Sequence, residues 1–207
     1  MEKWEEDIFS FLTEKEHFES LIKIAPYYEK VKKELLSQFW EAVYQKIQAF
    51  VKSKDGWQVS KPNDIFERNA HILLYKNSWV PQGEWASISL GWEWLTFSKP
   101  FFCLLINHDS KVLDIEKAMR EGELLINMVN EKFNFELEGN YGWWAFWQYA
   151  EIDFNTDTEF IKILPDNREL LIDSFSNTII NLANFLEKDL DRIAQLKAEA
   201  TSHSPEN

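Results

Sequence analysis

Apolar residues along this chain change their spacing several times, and each change marks a different element. The first 25 residues mix charge with apolar punctuation at Ile8, Phe9, Phe11, Leu12, Phe18, Leu21 and Ile22, a spacing that suits short helices able to dock on something. Pro26 disfavours helical geometry in the residue before it and sets a boundary at Ala25. From Tyr27 to Val51 the positions Val31, Leu35, Leu36, Phe39, Trp40, Val43, Ile47, Phe50 and Val51 recur at threes and fours. They form one face of an amphipathic helix with lysines and glutamates opposite, and Asp55-Gly56 ends it.

The middle of the chain changes period. Trp57–Val59 is short and ambiguous, whereas Ala70–Tyr75 reads as a strand followed by turn formers at Asn77, Ser78, Pro81 and Gly83. Trp85–Phe97 alternates, with Ala86, Ile88, Leu90, Trp92 and Trp94 on one face and Ser87, Ser89, Gly91 and Glu93 on the other. That period of two predicts a half-buried antiparallel strand, bulged or bent at Gly91. Phe101–Ile106 has no polar position and predicts a central strand covered on both faces. Helical spacing returns over Val112–Phe133, the Gly139–Gly142 cluster reads as a turn, and Trp143–Phe154 as a further aromatic strand. After Pro165, Asp166 with Glu169 forms a capping-box pattern. The stripe Leu171, Phe175, Ile179, Leu182, Leu186 and Ile193 then predicts a long helix to about Lys197.

This order predicts an α+β fold: a mainly antiparallel sheet of about 4–5 strands packed by N-terminal helices, a middle helix and a long C-terminal helix. The expected organisation is an N-terminal helical segment over 1–25, a single α+β domain over 26–198 and a disordered tail over 199–207.

Composition narrows the function. The 207 residues carry a formal net charge of −13, the wrong sign for a general binder of nucleic acid or of an anionic membrane. Residues 151–207 hold 12 acidic against 5 basic side chains, so the C-terminal region offers an acidic surface to a basic partner. One cysteine excludes an internal disulfide framework. With no apolar run of membrane length and no basic-then-apolar leader, a cytoplasmic protein is expected.

Candidate chemistry is sparse. No phosphate-binding glycine motif is present. Cys103 lies within an apolar run, where a thiol is a small hydrophobe rather than a nucleophile. His17, His71, His108 and His203 have no metal-ligand spacing, and His71 reads as a structural residue on its strand. His108 followed by Asp109 at a strand end is the best-placed acid/base pair. Asp153, Asn155, Asp157 and Glu159 alternate like a calcium loop, but Thr158 and Leu164 stand where such a loop needs Gly and Glu; a solvated turn is expected, and neither metal nor cofactor. A carboxylate–lysine nuclease centre is not visible. Asp64 with Glu67 has no following Glu-x-Lys strand, and Asp114-Ile115-Glu116-Lys117 falls in a helix.

Ten tryptophans are the strongest compositional signal. Trp92, Trp94, Trp143, Trp144 and Trp147 are the candidate binding residues, either as large core aromatics or as anchors for a partner. Trp143 and Trp144 fall on opposite faces, so one side of a sheet cannot hold them all.

The run from Ile24 through Pro26, Tyr27, Tyr28 and Leu36 to Phe39-Trp40, followed by strands and a closing helix, resembles the C-terminal non-catalytic α+β region of bacterial PD-(D/E)xK-nuclease-superfamily proteins of the defence and prophage type. The resemblance spans residues 20–195 and rests on a Leu-x-x-Phe-Trp helix. The nuclease core of those proteins has no counterpart here, so the resemblance implies an accessory or recognition domain and no catalysis. Together these readings lead to a non-enzymatic acidic protein that binds a macromolecule, most readily a protein, through an aromatic sheet face or an acidic helix. The alternatives are an acidic mimic of nucleic acid that inhibits a nucleic-acid-binding protein, and an enzyme centred on His108 and Asp109. The long terminal helix makes a homodimer plausible.

Overall fold

The computed structural model describes residues 3–67, 70–79, 88–94, 99–106, 115–133, 138–141 and 144–202. Helices α1 (Lys3–Thr13) and α2 (Lys15–Ile24) lead through a tight 3₁₀ turn, Ala25–Tyr27, into α3 (Tyr28–Lys52). Strands β1 (Trp57–Ser60), β2 (Ala70–Lys76), β3 (Ile88–Trp94) and β4 (Phe101–Ile106) follow, then α4 (Ile115–Phe133), β5 (Glu138–Tyr141) and β6 (Trp144–Tyr149). The short α5 (Asp157–Phe160) precedes the 34-residue α6 (Glu169–Ser202).

The strands form one sheet in the order β1-β2-β3-β4-β6-β5, antiparallel throughout. It has six strands rather than four or five because Trp57–Ser60 pairs with β2, and because the glycine cluster expected to turn instead supplies β5, hydrogen-bonded to β6. The Phe101–Ile106 strand is interior, as its lack of polar positions requires, and Phe101 to Leu105 are all buried.

Pleating divides the buried residues into two layers. Ile72, Leu74, Phe102 and Leu104 belong to the main core with Leu36, Phe39, Trp40, Val43 and Ile47 of α3 and the stripe Ile172, Phe175, Ile179, Leu182, Leu186 and Leu190 of α6. Leu125 and Val129 of α4 join the same layer. At its centre the Phe39 ring meets Trp40, Phe154 and Phe175 edge-on, with centroids 5.1, 5.7 and 5.6 Å away. On the opposite layer Leu73, Phe101, Cys103 and Leu105 form a smaller buried cluster edged by Tyr75 and Trp147.

The end of α3 follows from local chemistry. The Ser53 and Lys54 N–H groups donate to the Phe50 and Val51 carbonyls, and Gly56 then takes φ of +78°, a left-handed conformation that disfavours any side chain. The Gly56 carbonyl accepts the Asn77 N–H, which fixes the turn against the end of β2.

Several boundaries differ from the sequence reading. The boundary expected at Ala25 is present, since α2 ends at Ile24 with Ala25 as its C-cap; Pro26 then sits in the first turn of Ala25–Tyr27, where its missing N–H costs nothing, and the chain passes on into α3. The ladder runs through Gly91 without a register change, and the irregularity lies instead between Leu104 and Leu105 on the β6 side. Asp166 does not cap α6. The Asn167 and Arg168 N–H groups close a turn onto the Leu164 carbonyl, so the helix starts at Glu169. Residues 199–202, read as tail, continue α6, while 203–207 lie outside the described residues.

The α3 stripe yields a contrast that denaturation can read. Phe39→Ala, in the packed core, is expected to cost about 3–5 kcal/mol by cavity formation. Val31→Ser, two turns earlier on the same helix and more than half exposed, is expected to stay within about 0.5 kcal/mol. Equal urea midpoints for the two variants would place Val31 against the body.

Candidate functional site

In register, Trp92 pairs with Ile72 and Phe102, and Trp94 with Ala70. Trp147 pairs with Cys103 and Trp144 with Leu105. Trp147 is half-buried and meets Phe101 and Tyr149 edge-on at 6.0 and 5.1 Å. Trp143 lies outside the described residues, as do His108 and Asp109.

Two other tryptophans belong to a polar network that the sequence reading did not single out. Lys76 Nζ, at the end of β2, lies 2.8 Å from Glu187 Oε1 and 2.7 Å from Asp191 Oδ2. These carboxylates stand four residues apart, on one face of α6. Trp57 Nε1 donates to Glu187 Oε1 at 3.3 Å, and Trp79 Nε1 donates to Asp191 Oδ1 at 2.7 Å. The two indoles meet edge to face at 5.1 Å, with the ammonium 5.5 and 5.8 Å from their centroids. Burial pulls the Lys76 pKa down, but the hydrogen bonds its ammonium donates to Asp191 and Glu187, and the charges of those carboxylates, outweigh it, so the ammonium is held above the ordinary lysine value. A lysine so held is neither a general base nor a nucleophile. The network clamps the β1–β2 edge of the sheet to α6. Its sequence signal was the Glu187/Asp191 spacing beside Leu186 and Leu190.

A cavity of about 160 Å³ opens between α3 and the loop that follows β1, lined among others by Trp40, Glu41, Lys61, Asp64 and Phe66. That volume holds about five waters and is below the ~300 Å³ at which ligand pockets begin. Its carboxylates are engaged. Glu41 is held below the usual carboxylate range by hydrogen bonds from Lys61 and then Gln45, and Asp64 Oδ1 accepts the Phe66 N–H at 2.8 Å. Asp153 is engaged likewise, its Oδ1 accepting the Asn155 N–H at 3.0 Å in a turn leading to α5. Cys103 is fully buried. No group of three potential metal ligands occurs among the described residues.

The largest unspent surface is the N-terminal arm. Ten large apolar side chains between Ile8 and Val31 are 39% to 64% exposed, and α2 buries none of its residues. Phe18, Leu21 and Ile22 share one face of α2, whereas Ile24, Tyr27 and Val31 are spaced for a different face, well around the helix from Leu36, where the core begins. The arm bends at Glu14, whose backbone is extended (φ −61°, ψ 136°), and the bend is braced. His17 stacks on Phe11 at 3.7 Å and its Nδ1 donates to the Phe11 carbonyl at 2.9 Å. Thr13 Oγ1 donates back to the Phe9 carbonyl at 2.9 Å. The sequence marks this segment as able to dock.

No helix among the described residues is long and apolar enough to cross a membrane. The chain matches no protein-family model, and no curated protein or solved structure matches it either.

The clamp predicts an alkaline transition. Because the Lys76 pKa is raised on folding, its contribution is complete below the ordinary value of 10.5 and is lost as pH rises through the folded value. Lys76→Met is expected to cost about 2 kcal/mol at neutral pH, by leaving two carboxylates without their cation. The gap between variant and wild type should then narrow above that pH. A gap that stays constant in urea titrations across this range would remove the clamp from the stability of the fold.

Proposed function

We propose that this chain is a non-catalytic module that binds another protein, and that the N-terminal helical arm is its contact surface. One observation carries the reading: α1, α2 and the first turns of α3 present ten large apolar side chains to solvent on helices whose bends are locally braced. Monomeric proteins rarely expose a contiguous apolar patch of more than a few hundred Å², and larger ones mark interaction sites. Aromatic anchors on a braced helix also lose less conformational entropy on binding than a free segment would. The accessory or recognition role implied by the resemblance to the non-catalytic region of PD-(D/E)xK-superfamily proteins falls within this reading.

Of the sheet tryptophans, Trp147 is half-buried beside Phe101 and Tyr149. A second reading, nucleic-acid mimicry by the acidic C-terminal helix, draws on the acid excess of residues 151–207. Part of that excess is spent internally: Glu187 and Asp191 hold Lys76, and Asp173 pairs with Lys46. His108 and Asp109, the centre of the enzymatic reading, lie outside the described residues.

Phe18→Ser with Ile22→Ser tests the proposal. Both side chains are at least 49% exposed, so thermal stability is expected to change little. Pull-downs from nuclease-treated native lysate should lose a stoichiometric partner that the wild type retains. Retention of the same partner at the same yield by the variant would exclude the arm as the contact surface.

A further inference from the structure

We draw no further inference here: the strongest candidate, the exposed apolar surface of the N-terminal arm over α1, α2 and the first turns of α3, lies on more than one helical face among charges that nearly cancel, and nothing in the structure shows what covers it.

Discussion

The helices of this protein are longer than the sheet they cover. The 25 residues of α3 extend about 38 Å and the 34 of α6 about 51 Å. The longest strands have seven residues, about 23 Å, and six strands side by side span about 24 Å between the outermost backbones. A sheet of that size can bury only the matching length of each helix. On α3 the buried residues begin at Leu36, and Val31, on a different side of the helix, is exposed.

Overhanging helices need fixing where they do meet the sheet, and the two ends of the interface solve this differently. Near Phe39 the solution is apolar: edge-on aromatic rings from α3, α6 and the segment after β6 fill the space. At the β1–β2 edge it is polar, with one ammonium, two carboxylates four residues apart and two indole N–H groups satisfying one another. A partly buried ion pair alone is weak evidence of stability, because desolvation offsets the Coulomb gain. Here the indoles add both hydrogen bonds and apolar surface. The network also specifies how α6 is rotated, since a turn of one residue would withdraw Glu187 and Asp191 together.

Periodicity made most of this legible. The α3 and α6 stripes, the apolar Phe101–Ile106 strand and the antiparallel pairing are each present in the spacing of residues. What was not legible depended on contacts distant in sequence. Whether Glu138–Tyr141 turns or pairs is decided by β6, and whether Gly91 bulges is decided by continuous pairing on both sides of it. Pro26 reads as a boundary locally, and α2 does end there, at Ile24. The candidate site was half legible. Tryptophan count drew attention to the sheet, but an indole's role depends on its neighbours. Trp57 and Trp79 became structural through carboxylates more than 100 residues away.

The same length argument bears on function. Had the surplus of α3 been neutral to folding and nothing else, polar residues would have satisfied it, since an exposed helix face gains nothing from Phe, Ile and Val. Polar substitution would even reduce the danger of nonspecific association. The arm instead keeps aromatic and β-branched residues exposed through a bend and past a proline, among charges that nearly cancel over 3–33, seven acidic against six basic. With charge so balanced, apolar contact is the main interaction such a surface has to offer.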